Sequence, residues 1–210
     1  MSYWVVPPEW FGETCVILAG GPSLRGFDAS CLQGCRVIVI NDSYRLCPYA
    51  DVLYFADESW WRKKCGDITE TFRGRYIVTV ARRVPEFVKQ LRITGVPGFD
   101  PDPGALRTGS NSGYQAIHLA AHFGAKRIIL LGYDMRVSGQ STHWHEGHGK
   151  PAKSYQAVLS STFLPKFKSL VGPLRDRGVE VINATEGSAL TFWPSCNLKE
   201  ALVKEEIVLV

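Results

Sequence analysis

The chain lacks any run of apolar residues near the roughly 18 needed to cross a bilayer as a helix, so no membrane-spanning segment is expected. Its first ten residues, MSYWVVPPEW, hold neither a basic start nor a long apolar stretch, and they do not read as a secretory signal. Cysteine occurs six times, at Cys15, Cys31, Cys35, Cys47, Cys65 and Cys196, but never as C-x-x-C and never at zinc-finger spacing. Cys15 reads as a small core residue. Cys31 and Cys35 leave a metal pair open, and the set as a whole reads as reduced thiols in a cytoplasmic protein. Charge of one sign is not in large excess either. A formal net charge of +4 suits an anionic ligand and excludes the basic tail or stripe of a nucleic-acid binder. Repeats, low-complexity tracts and interdomain linkers are absent, so residues 1–210 are expected to form a single domain with a sizeable core. Two familiar phosphate-binding signatures are missing as well. No Gly-Lys-Ser/Thr follows Gly20-Gly21, and there is no G-x-G-x-x-G.

What is present is a series of short, continuously apolar runs. Residues 14–19 (TCVILA), 36–40 (RVIVI), 52–56 (VLYFA), 75–80 (RYIVTV), 127–131 (RIILL) and 179–183 (VEVIN) each predict a strand, and 128–131, apolar at consecutive positions, one covered on both faces. The expected fold is α/β and Rossmann-like, a mostly parallel sheet with helices on both faces. The first strands run into Gly20-Gly21-Pro22-Ser23, into Asn41-Asp42 and into Asp57-Glu58. A row of polar strand ends is the expected rim of a binding crevice. Asp57 can instead cap a helix that begins at Glu58. Residues 81–90 read as a short helix or an irregular arm, and the Pro/Gly/Asp run at 95–104 as a loop. Residues 154–177 read as the last long helix, turned or kinked at Pro165 and Pro173. An amphipathic tail follows.

The most informative stretch is residues 107–134, RTGSNSGYQAIHLAAHFGAKRIILLGYD. A polar loop, Arg107 to Ser112, opens a helix whose apolar positions Ala116, Leu119, Ala120 and Phe123 follow helical spacing. Gly124 stops it, and the strand that follows ends at Asp134. Thr108, Asn111, Ser112 and Gly113 thus stand where a helix N-terminus can meet an anion. His118 and His122 fall off the apolar stripe and are expected at the surface. Next comes a glycine-rich segment with three histidines, His143, His145 and His148, around Glu146. It reads as a catalytic or lid loop over the crevice, as a metal site, or as a solvated loop.

GGPSL after the first strand, Asn41 at the end of the second, the 107–134 block and the histidine loop together resemble the archaeal 6-hydroxymethylpterin diphosphokinases. They are also similar to the bacterial sialyltransferases of glycosyltransferase family forty-two and to small phage proteins with the same blocks. The resemblance covers roughly residues 14–148 and implies a nucleotide-activated donor of CMP-sugar or ATP type. Gly20, Gly21, Pro22 and Ser23 would lie against the nucleotide, and Asn41 against the nucleotide or transferred group. Asn111, Ser112 and Gly113 would hold the phosphate or base, with Asp134 facing the same crevice. The sialyltransferases carry tyrosines just after the equivalent strand end, where this chain has Arg136 and Thr142.

From these residues a transferase is expected, moving a glycosyl or phosphoryl-type group to an acceptor hydroxyl. His143 or His145 would be the base, oriented by Glu146 or Asp134, with Arg136 on the leaving phosphate. Mg²⁺ is an option through Asp134 or Asp57. The acceptor is left open among a sugar, a pterin and a modified base, and a homo-oligomer is compatible. The cytoplasm, that of the host for a phage-encoded chain, is the expected location. A non-catalytic nucleotide-binding protein and a metal-dependent hydrolase on the histidine loop are the alternatives.

Overall fold

The computed structural model describes residues 3–146 and 151–203. Seven parallel strands form the central sheet: β1 (Thr14–Leu18), β2 (Arg36–Ile40), β3 (Val52–Phe55), β4 (Tyr76–Thr79), β5 (Lys89–Gln90), β8 (Arg127–Leu131) and β9 (Glu180–Asn183). Their spatial order is β5-β4-β3-β2-β1-β8-β9. A separate two-stranded piece, β6 (Arg92–Ile93) with β7 (Ala105–Leu106), lies in the loop after β5. The helices are α1 (Glu58–Thr71), α2 (Ser112–His122), α3 (Ala152–Val158), α4 (Leu164–Arg175) and α5 (Leu198–Val203).

Alternate residues of each strand point to opposite layers. Cys15, Ile17, Ile38, Ile40, Ile128 and Leu130 pack with Tyr114, Ile117 and Ala120 of α2 and with Phe167, Leu170 and Leu174 of α4. Val16, Leu18, Val37, Val39, Ile129 and Leu131 pack with Trp61 and Ile68 of α1 and Ala201 of α5. Both faces are covered, which is why the strand sequences are apolar at consecutive positions. None of the described helices is long and apolar enough to cross a membrane.

The sheet winds outward from β1 through β2 to β5, then returns to place β8 on the other side of β1. Loops leaving β1 and β8 therefore diverge, and the crevice between them is the site such folds leave open for a ligand.

Residues 81–90 take the irregular of the two forms expected: turns lead into β5, which buried Val88 and Leu91 flank. The last long helix is interrupted just before Pro165, which has no N–H to give, as expected, whereas Pro173 lies inside α4 without ending it. The chain widens into a π-turn at Leu159–Phe163, and the Leu164 N–H reaches back to the Leu159 carbonyl. His118 is fully buried rather than exposed, and its ring stacks on Phe99 with centroids 4.0 Å apart. Its Nε2 lies 3.0 Å from the Asp100 carbonyl and its Nδ1 accepts from the Arg107 N–H at 3.4 Å. A neutral ring with Nε2 as donor and Nδ1 as acceptor satisfies the Asp100 carbonyl and the Arg107 N–H, and the Asp100 backbone nitrogen lies 3.1 Å from the same Nε2. The Nε2 of half-buried His122 lies 3.0 Å from the Ala105 carbonyl. The helical periodicity of α2 marks the face toward the sheet. It does not mark the second face, which the 95–107 loop covers.

Candidate functional site

A cavity of about 340 Å³ opens at the carboxyl ends of β1, β2 and β8. Gly20, Gly21, Pro22, Asn41, Asp57, Asn111, Ser112, Gly113, Asp134, Arg136, His143 and His145 all line it. Residues spread over more than a hundred positions are thus gathered by the winding of the sheet.

The glycine loop is where the backbones come closest. A Cβ on Gly21 would lie 1.8 Å from Asp134 Oδ2 and 2.4 Å from the Gly132 carbonyl oxygen, so no side chain fits. The Gly21 N–H donates to that carbonyl at 2.9 Å. Asp134 is 6% exposed and holds the loop from the other side, accepting from the Ser23 N–H at 2.9 Å and the Ser23 hydroxyl at 2.8 Å. Burial raises its pKa, against the lowering by the Ser23 bonds and by Arg136. Ser23 itself faces a neighbouring cavity.

At the end of β2, Asn41 begins a tight turn with φ of 50°. The turn puts Asp42, which the sequence reading did not single out, against the cavity at 6% exposure. One carboxylate oxygen accepts from the Trp60 indole N–H at 2.7 Å and lies 3.9 Å from His145 Nε2. The other meets Lys64 Nζ at 2.9 Å. Burial pushes the Asp42 carboxyl up, but the Trp60 N–H, the Lys64 ammonium and His145 outweigh it and hold the pKa below the ordinary value. Neither Glu146 nor Asp134 is therefore the carboxylate facing His145; Asp42 is.

Asn111 caps α2, its side-chain oxygen accepting from the N–H groups of Gly113 at 2.7 Å and Tyr114 at 3.2 Å. Asp57 likewise caps α1 through the Ser59 N–H at 2.8 Å. Both line the cavity, so capping and a place on its wall coincide. Thr108 does not line it; its hydroxyl oxygen accepts from Gln115 Nε2 at 3.2 Å and braces the turn before α2. Among the described residues, left-handed backbone outside glycine occurs at Asn41 (φ 50°), Ser110 (φ 57°) and Met135 (φ 50°). All three line this one cavity. Such strain gathers where surrounding structure holds it for a purpose.

The histidine segment crosses the cavity as far as it is described. The Trp144 N–H donates to the Gly20 carbonyl at 3.1 Å, and its indole N–H donates to the Ser43 hydroxyl at 3.1 Å. The Ser43 hydroxyl in turn donates to the Ala19 carbonyl at 2.6 Å. His143 lies over Gly20, with its Nδ1 3.1 Å from the Thr142 hydroxyl and its ring 5.4 Å from that of His145. His145 Nδ1 lies 3.0 Å from the Glu146 carbonyl oxygen. His148 falls outside the described residues.

Tyr155, Leu159 and Phe163, from α3 and the π-turn, complete the wall. Burial pushes the Tyr155 phenol up to about 12. No periodicity before Pro165 points at them; the widened turn that aims Leu159 and Phe163 inward was the missing signal.

The residues named for Mg²⁺, Asp134 and Asp57, are already engaged within the protein. Both Asp134 oxygens are bound by Ser23, and Asp57 is used as a cap. Among the described residues no group of three or more His, Cys, Asp or Glu is arranged to hold a metal.

No family model matches the chain, and neither does any curated protein. Among solved structures the chain is similar to a single-site variant of the sialyltransferase Cst-II in complex with CMP. The two share 17% identity over 85% of this chain and 84% of that chain, with a TM-score of 0.47.

Proposed function

We propose that the chain is a glycosyltransferase that takes a nucleotide-activated sugar, of CMP type, in the cavity between the glycine loop and the start of α2. The observation that carries this reading is the gathering of strained Asn41, Ser110 and Met135 around one polar cavity at the switch point of the sheet. The sequence resemblance takes in both the sialyltransferases of family forty-two and the diphosphokinases, so it supports a nucleotide donor and does not choose between the two transfers. The glycosyl form is preferred because both Asp134 oxygens are held by Ser23 and Asp57 caps α1, so phosphoryl transfer from ATP would have to draw its metal to carboxylates already in use.

In this reading the donor lies against Gly20, Gly21 and Pro22, with Asn41, Ser112 and Gly113 on its polar groups. His143, over Gly20, takes the proton of the acceptor hydroxyl. The acceptor oxygen then bonds to the anomeric carbon while the bond from that carbon to the phosphate oxygen breaks, and the nucleotide leaves with the electron pair. Tyr155, whose raised pKa keeps the phenol protonated at neutral pH, donates a hydrogen bond to that leaving phosphate. His145 already has one ring nitrogen on the Glu146 carbonyl and the other toward Asp42, which suits it to positioning rather than to taking the proton. Asp134 acts on the loop, through Ser23.

His143→Ala should lower kcat by about two orders of magnitude. Donor affinity, measured by calorimetry with CMP, should stay within twofold. Full turnover in that variant would remove His143 from the role.

A further inference from the structure

We propose that a second cavity, beside the donor cavity, is the acceptor subsite and that its occupant carries an anionic group held by Arg136. This rests on the transferase reading and goes further, to the chemical class of the acceptor. The second cavity, of about 490 Å³, shares Pro22, Gly132, Asp134 and Arg136 with the first. An acceptor in it sits one loop away from the donor.

Sequence reasoning aimed Arg136 at the leaving phosphate. The structure lays its guanidinium against Gly187, and the residue lines both cavities. A Cβ on Gly187 would lie 2.2 Å from one terminal nitrogen of Arg136 and 3.0 Å from Cζ. Gly187 lines the second cavity and a third that continues it, but not the donor cavity. Its φ of 61° independently calls for glycine. The glycine is thus a cradle across which the arginine is laid.

Arg136 is exposed, and no ion pair engages it among the described residues. Asp134, the nearby acid, has both carboxylate oxygens on Ser23. A planar guanidinium fixed by its backing suits two-point binding of a carboxylate or phosphate. Exposed Glu186 lines the same cavity and can accept hydrogen bonds from hydroxyls. The Thr185 hydroxyl, by contrast, is used within the protein: it accepts from the Tyr133 N–H at 3.0 Å and meets the Leu130 carbonyl at 3.3 Å. One fixed cation and one open carboxylate together fit a polyhydroxylated molecule bearing one negative group.

Calorimetry on the full chain saturated with CMP tests this, with glucose 6-phosphate, glucuronate and glucose as probes. The two anionic sugars should bind, and glucose at least tenfold more weakly. Arg136→Gln should weaken the anionic sugars at least tenfold, with Arg136→Lys recovering part of the loss. Gly187→Ala, which displaces the guanidinium, should weaken the same sugars without touching CMP. The proposal is overturned if glucose binds as well as the anionic sugars, if these bind Arg136→Gln as tightly as the parent, or if they compete with CMP. Should CMP itself not bind, the donor reading fails, and the same sugar titrations on the CMP-free chain still decide whether Arg136 holds an anion.

Discussion

His118 locks the 99–107 loop onto α2, and its burial makes that lock sensitive to acid. Burial draws the ring's pKa down to about 3, against smaller upward pulls from the Asp100 carbonyl and carboxylate, while His122 and Arg177 add to the lowering. In the unfolded chain an imidazole titrates near 6.5. Below that pH the unfolded state binds a proton that the folded state refuses, so stability falls as pH drops from about 6.5 toward 3. With one unit worth about 1.4 kcal/mol, the loss from this residue is roughly 2 kcal/mol at pH 5 and about 3 kcal/mol at pH 4, relative to pH 8. Urea unfolding of the parent and of His118→Gln across this range isolates the effect, because the glutamine has nothing to titrate. The difference between the two stabilities should shift in the variant's favour by those amounts as pH falls. Parallel curves would refute the reasoning. If the variant does not fold, proton NMR of the parent should show one histidine ring that remains neutral down to about pH 4.

Two further outcomes follow from the site. Gly21→Ala should cost about 3 kcal/mol or more in urea unfolding, since the added methyl meets a backbone carbonyl and a carboxylate held by Ser23; an unchanged midpoint would show that the loop can move. Asp42→Asn should lower kcat about tenfold with donor affinity within twofold, because it disturbs the support of His145 and not the donor contacts; a fall in donor affinity with kcat intact would place Asp42 in donor binding instead.

Strand runs such as RVIVI and RIILL were readable because a sheet covered on both faces leaves no polar alternation to misread. The crevice was readable for a related reason: polar residues at successive strand ends have few places to go but one rim. Features set by tertiary covering were not. His118 looks exposed by helical periodicity, and only the long 95–107 loop, which has no period of its own, buries it. Leu159 and Phe163 reach the cavity through a π-turn just before Pro165, a shift of register that counting by 3.6 cannot anticipate. Asp42 hid behind Asn41, because a strand-end Asn-Asp pair does not say which of the two turns inward. Arg136 was placed correctly at the end of β8, but the direction of its head depends on Gly187, about fifty residues later in the chain.

A crystal of the chain soaked with CMP decides whether the cavity between Gly20-Gly21 and the start of α2 holds a nucleotide. One nucleotide should lie between the glycine loop and Ser112-Gly113, with its phosphate near His143 and Tyr155. A cavity that stays empty at millimolar CMP, or a nucleotide bound on the Gly187 side of Arg136, would contradict it.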